Sequence, residues 1–357
     1  MASAKAKKTL KIVLISFIAL LLVFSVASVI VCGIIYNGQF EDTDSPDWST
    51  KYGVNFETME AKGYTHEKVE VPSAGVTLQG RIYGTENTKG LVVFCHGLGG
   101  GSELYIAEIC GLVDRGWQVL AVDFRGHMQS PDVARGFPQS QIDLDNILKY
   151  VECAPRFRGL DVVLFGHSWG GYAVTSVLNY DHDVKGVVAV SGINDALGFI
   201  GRQTVGMLGF FGHVEAPFGS IFQYLKFGRA AGFSAVRGIN RSDIPVMIVQ
   251  GTHDDTVVGE DQIMYYRDDI TNPNVIFVDR DGEGQGTHNY ILRSEAAFAY
   301  INETDAAYDA YKAAHGGSLT HDEKVAFYDT VDDERISEID AAFWDDVSAF
   351  FETCITK

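Results

Sequence analysis

Apolar positions along this chain change their rhythm several times, and each change predicts a different kind of element. Residues Ile12 to Tyr36 form one uncharged, mostly apolar run. Further on the pattern alternates. Val69 and Val71 have polar neighbours, Ser73-Ala74-Gly75 reads as a turn, and Val76, Leu78, Arg81 and Tyr83 continue as a second strand, predicting an opening hairpin. Continuous apolar runs then take over, at Leu91–Cys95, Gln118–Val122, Val162–Phe165, Val184–Val190, Pro245–Gln250 and Val275–Val278. Between them lie helical patterns at Glu103–Arg115, Gln139–Val151, Tyr172–Asn179 and Glu260–Asp269; in the second, Ile142, Leu144, Ile147, Leu148 and Val151 fall roughly on one face. Strands apolar on both faces, alternating with amphipathic helices, predict an α/β architecture: a mostly parallel central sheet with helices on both faces.

Two segments break this rhythm. Residues 193–242 intervene between two core strands and are rich in Gly and Phe, including Phe199, Phe210, Phe211, Phe218, Phe222, Phe227 and Phe233. Residues 303–333 are polar and acidic with a helical pattern, ahead of a last amphipathic helix at Ile336–Cys354. The expected organisation is an anchor at 1–36, a polar tether at 37–60 and one domain at 61–357 that carries insertions at 193–242 and 303–333.

At roughly 1.5 Å per residue, the run from Ile12 to Tyr36 is long enough to cross a bilayer core of about 30 Å. Lys5, Lys7, Lys8 and Lys11 precede it, and Glu41, Asp42, Asp44 and Asp47 follow it. By the positive-inside rule the N-terminus is cytoplasmic and the bulk of the chain extracytoplasmic. The run exceeds the roughly 7–15 apolar residues of a cleaved signal peptide, although Ser25-Val26-Ala27 offers a small-x-small cleavage site as the alternative. Cys32 does not suit lipidation, because Val31 before it is not small.

Length and composition suit one large α/β domain: 357 residues, 46% apolar and 21% charged. The formal charge of −19 excludes nucleic acid as a partner, which requires basic patches. The five cysteines show neither C-x-x-C spacing nor a zinc pattern, and no His/Asp cluster has ligand spacing such as H-E-x-x-H, so no metal or other cofactor is expected.

The chemistry is concentrated at residues 165–171, F-G-H-S-W-G-G, directly after an apolar strand. A serine flanked two residues away by Gly166 and Gly170 fits the nucleophile elbow G-x-S-x-G, in which a strained strand-to-helix turn exposes the apex hydroxyl. Four further motifs follow strands. His96-Gly97-Leu98-Gly99-Gly100-Gly101 is a loop whose backbone amides can approach a ligand. The Leu98 and Trp169 N–H groups are the candidate oxyanion hole. A phosphate loop is disfavoured because no G-K-[ST] follows. Asp123-Phe124-Arg125-Gly126-His127 reads as scaffolding. Gln250-Gly251-Thr252-His253-Asp254-Asp255 places a carboxylate at a strand's C-terminal end, Asp254 being preferred and Asp255 the alternative. Gly286-Thr287-His288-Asn289 comes after the last core strand. The order Ser168, Asp254, His288 is that of a triad in which His288 takes the serine proton and Asp254 orients the imidazole. The chain has ten histidines; His96, His127, His167 and His253 are expected to be structural.

On these motifs, F-C-H-G-L-G-G, D-F-R-G-H, G-H-S-W-G-G, G-T-H-D and G-T-H-N, residues 64–301 resemble the α/β-hydrolases. The resemblance is strongest to the monoacylglycerol lipase, lysophospholipase and serine aminopeptidase-like branch. It implies an α/β-hydrolase fold with a cap between the sixth and seventh strands, the position of residues 193–242. Met128 departs from the branch, which usually has glycine there. Ser168 sets the chain apart from dehalogenases and epoxide hydrolases of this fold, which use aspartate. The expected activity is a serine hydrolase cleaving carboxylic esters through an acyl-enzyme at the outer membrane face. Its substrate is a small acyl ester or short peptide, and it meets the membrane through the N-terminal helix. A serine peptidase, an acyltransferase and a non-catalytic binding module are the alternatives.

Overall fold

The computed structural model describes residues 2–40 and 42–355. An eight-stranded sheet runs through it: β1 (His66–Ser73), β2 (Val76–Tyr83), β3 (Leu91–Cys95), β4 (Gln118–Val122), β5 (Val162–His167), β6 (Val184–Val190), β7 (Val246–Gly251) and β8 (Val275–Arg280), in spatial order 1-2-4-3-5-6-7-8. The opening hairpin forms with Ser73 opposite Val76, and β2 then pairs antiparallel with β4. All other neighbours are parallel. Residues in β3 and β7 are buried throughout, because helices cover both faces of the sheet. Each fully buried Val, Leu or Phe contributes about 1.5–3 kcal/mol relative to exposure.

The helices are α1 (Ala2–Asn37), α2 (Phe56–Ala61), α3 (Ile106–Asp114), α4 (Pro138–Cys153), α5 (Trp169–Ser176), α6 (Ala196–Leu208), α7 (Phe210–Phe227), α8 (Ala235–Asn240), α9 (Glu295–Ala314), α10 (His321–Tyr328), α11 (Asp333–Ile336) and α12 (Ala341–Ile355). On one side of the sheet, Leu144, Leu148, Tyr172 and Val174 pack on β-strand residues such as Leu164 and Val187. On the other, Ile109, Leu112, Trp344 and Phe351 pack on Phe94, Phe165 and Val188. Among the described residues, one helix is long and apolar enough to cross a membrane, over residues 6–37.

Three expectations need correction. The helix expected at Glu260–Asp269 is two short 3-10 turns, Gly259–Asp261 and Met264–Asp269. The segment is tied instead to the start of the 193–242 insertion: Ile263 N–H donates to the Gly192 carbonyl (3.1 Å) and Asn194 N–H to the Asp261 carbonyl (2.9 Å), so tertiary bonds override local helix pattern. The helix expected from Glu103 opens as a 3-10 turn, Ser102–Tyr105, before α3. Residues 37–60 are more than a polar tether. Phe40, Val54 and Met59 are buried, and Phe40 meets Phe137 edge-on at 5.7 Å. The acidic segment at 303–333 contributes to this docking. Gly53 N–H donates to Asp333 Oδ1 (2.7 Å), and the Tyr52 and Tyr328 rings lie 6.0 Å apart.

Candidate active site

Ser168 sits where β5 turns into α5, with φ 56° and ψ −114°. A non-glycine residue in this region stores on the order of 1–3 kcal/mol of strain. The turn holds because its surroundings leave no alternative. Ser168 N–H donates to the Val190 carbonyl (2.8 Å), and the Ser168 carbonyl accepts from Tyr172 N–H (3.0 Å). A side chain on Gly166 would collide with the Gly170 carbonyl, and one on Gly170 with the carbonyl of Cys95 on the neighbouring strand. These two glycines therefore let strand and helix cross closely enough to lift the hydroxyl to the sheet's end.

His288 Nε2 lies 2.9 Å from Ser168 Oγ, and His288 Nδ1 lies 2.9 Å from Asp254 Oδ2. A carboxylate on Nδ1 fixes the proton there and leaves Nε2 to accept from the serine hydroxyl. Asp254 is held in turn. Its Oδ2 accepts from Gln250 Nε2 (2.8 Å), and its Oδ1 accepts from the N–H groups of Thr256 (3.0 Å) and Val257 (2.9 Å). Burial pushes the Asp254 carboxyl up, but the His288 bond and the two backbone donors outweigh it and hold the group below the usual carboxylate range. Asp255 is exposed and, among the described residues, its side chain accepts only from Thr256 Oγ1 (3.3 Å), within its own turn. The geometry brings Ser168, His288 and Asp254 together and leaves Asp255 outside.

The glycine-rich loop after β3 passes beside the elbow: a Gly97 side chain would stand 3.5 Å from Ser168 Cβ and 2.9 Å from the Tyr105 hydroxyl oxygen. Neither the Leu98 nor the Trp169 backbone N–H is engaged with another described residue. Trp169 is the first residue of α5, where helical N–H groups have no internal partner.

The histidines read as structural hold this loop. His96 bridges the Gly97 carbonyl (2.8 Å) and the Phe124 N–H (2.9 Å). His127 Nε2 accepts from Gly99 N–H (3.0 Å). His167, also expected to be structural, spans from this loop to the backbone of His288. Its Nε2–H donates to the His288 carbonyl (3.0 Å), its Nδ1 accepts from the Tyr105 hydroxyl (2.8 Å), and that hydroxyl oxygen accepts from Gly97 N–H (3.2 Å). One chain of hydrogen bonds thus joins the glycine-rich loop after β3 to the backbone of His288. Burial lowers His96 to about 4. Burial, then the neighbouring His96, lowers His127 to about 4. Burial, then His288, lowers His167 to about 3. His253 lies at the surface, its N–H bonded to the Gly286 carbonyl (2.8 Å).

The scaffolding motif behaves as expected. Asp123 accepts from Ser102 N–H and Oγ, both at 2.8 Å, and buried Arg125 donates to the Ser73 (2.8 Å) and Ala74 (3.0 Å) carbonyls. Met128 has φ 50°, the left-handed region that favours glycine. It is held by residue 43, whose carbonyl accepts from Met128 N–H (2.6 Å), and its side chain fills the space beside Gly101.

Residues 86–197 match the family described as Serine aminopeptidase, S33, and residues 142–268 match the Prolyl oligopeptidase family. The fold is similar to that of an esterase of Pyrococcus furiosus in two crystal forms. One has 17% identity and a TM-score of 0.52, covering 77% of this chain and 96% of the esterase. The other has 19% identity and a TM-score of 0.51, covering 76% and 99%. No curated protein matches the chain. With its sheet order and these similarities, the chain has the α/β-hydrolase fold.

Proposed function

We propose that the protein is a carboxylic ester hydrolase working through Ser168, His288 and Asp254, with the Leu98 and Trp169 amides as its oxyanion hole. The observation that carries this reading is the continuous relay from Ser168 Oγ through His288 to Asp254, each step at 2.9 Å. Ser168 Oγ attacks the ester carbonyl carbon while His288 Nε2 takes its proton, and Asp254 stabilises the imidazolium. Charge gathers on the former carbonyl oxygen, where the two amides receive it; one such donor is worth about 2.7–4 kcal/mol in known hydrolases. The tetrahedral intermediate collapses, the C–O bond breaks, and the imidazolium returns the proton to the leaving alkoxide. Water, deprotonated by His288, then releases the acid and restores Ser168.

Within this reading residues 1–36 anchor the chain, 37–60 connect, and 61–357 form the hydrolase, with insertions at 193–242, the cap, and at 303–333. Lysines before the helix and acidic residues after it favour an extracytoplasmic catalytic domain. An apolar cavity of about 510 Å³ between the first helix and the cap, within the usual size range of ligand sites, favours acyl substrates. A peptidase is the second reading, favoured by the names of the two matching families. A panel of p-nitrophenyl esters and aminoacyl amides separates the two. The ester reading expects the esters to be turned over, the amides to be poor substrates, and His288→Ala to abolish ester turnover. Faster cleavage of the amides would replace it with the peptidase reading, and activity surviving in His288→Ala would move the base elsewhere.

A further inference from the structure

The N-terminal helix does more than precede the catalytic body; it packs along the cap. Gly33 faces the Phe222 ring so closely that a side chain there would stand 2.6 Å from it. Phe24 meets Phe218 edge-on at 5.8 Å, Tyr36 meets Phe222 at 5.6 Å, and buried Ser28 Oγ donates to Glu215 Oε1 (3.3 Å). Small residues permitting close approach, with a polar pair between helices, are how helices associate inside a bilayer.

The cavity of about 510 Å³ lies between these elements. One wall is α1, through Ala27, Val31 and Ile35; the opposite wall is α6, through Ile200 and Met207. Along α1 the cavity extends from Phe24 to Tyr36, about 18 Å of helix, and it continues past the helix end to Gln39 and Phe40. It also reaches Leu98, whose backbone N–H is the proposed oxyanion donor. Beside it, the tip joining α6 to α7 exposes Met207, Phe210 and Phe211 at 66%, 79% and 72%. An apolar tip of this kind next to a span-length apolar helix fits a lipid surface.

We infer that residues 24–36 of the N-terminal helix, with Gln39 and Phe40 just after it, form one wall of the acyl-chain site, and that its occupant is the long acyl chain of a membrane lipid ester entering sideways from the bilayer. The inference rests on the reading of Ser168 as nucleophile. Three observations select this occupant: continuity of the groove with the oxyanion loop, a wall made by the membrane-span candidate itself, and an exposed apolar tip at the same level. The anchor is then a specificity element, and the site is incomplete without it.

The test uses the full chain in phosphatidylcholine vesicles and compares kcat/KM for p-nitrophenyl butyrate and palmitate. Ala27→Trp and Val31→Trp project bulk into the groove from positions that are solvent- or lipid-exposed, so folding is preserved. Ile34→Trp, on the outward side of the same helix at 68% exposure, is the control. The groove variants should lower the palmitate-to-butyrate ratio of kcat/KM about tenfold or more, the scale on which an apolar pocket discriminates, with the control like wild type on both esters. Equal loss on both esters, an unchanged ratio, or the same drop in Ile34→Trp overturns the inference while leaving the triad intact. If wild type hydrolyses neither ester, the nucleophile reading falls and takes the inference with it.

Discussion

Asp254 and Asp255 are neighbours in sequence with the same chemistry, yet only Asp254 reaches His288, at 2.9 Å. The difference comes from the turn after β7. Bonds from the Thr256 and Val257 N–H groups and from Gln250 aim one carboxylate inward, which leaves the next facing solvent. The sequence narrowed the candidate acid to these two and preferred Asp254, but the hydrogen bonds that aim one carboxylate at His288 run across the turn and leave no pattern. Asp254→Asn should lower kcat by about 10⁴, since the amide favours the wrong imidazole tautomer. Asp255→Asn should stay within about twofold of wild type, as expected of an exposed change away from the site. Equal losses in the two variants would assign the acid differently. Met128 was legible as a departure from the branch pattern. Its cause was not, because a positive φ and a contact with residue 43 are properties of the folded loop.

At the scale of elements, the continuous apolar runs placed the strands and most helices well, because a parallel sheet buried on both faces leaves a strong apolar signature. The helix at Glu260–Asp269 failed where bonds to Gly192 and Asn194 outweighed local pattern. The glycine-rich loop after β3 shows what neither periodicity nor motif could supply. Its glycines were visible, but the neutral rings of His96, His127 and His167 that fix it were read only as structural. These rings should give imidazole signals that do not titrate between pH 8 and 5 in the detergent-solubilised protein, followed by NMR. Their folded values, about 4, 4 and 3, lie below the ordinary imidazole value of 6.5. Each therefore contributes stability that is complete above about pH 6.5. That contribution is lost as the pH falls toward the folded values, at about 1.4 kcal/mol per pH unit where only the unfolded chain binds the proton. Asp123 and Asp143, raised by burial, act in the opposite sense, so the ring signals isolate the effect better than a melting curve does. Titration of His167 near neutrality would break the relay from Tyr105 to the His288 backbone.

Taken whole, the molecule joins a span-length apolar helix, an aromatic hairpin and a serine site along one groove. Composition and the run from Ile12 to Tyr36 made the helix and the Phe-rich insertion evident separately. Their contact was not legible, because Gly33 against Phe222 and Ser28 with Glu215 join positions nearly 190 residues apart. The 303–333 segment, read only as an acidic interruption, helps to seat residues 52–54 on the body through Asp333 and Tyr328. All of this serves one claim, that Ser168 is the nucleophile. A fluorophosphonate probe applied to the full-length protein in detergent, with the adduct mapped by mass spectrometry, tests it most directly. The account predicts a single adduct on Ser168 in wild type and none in folded Ser168→Ala. A folded wild type that stays unlabelled, or an adduct on another residue, would contradict it.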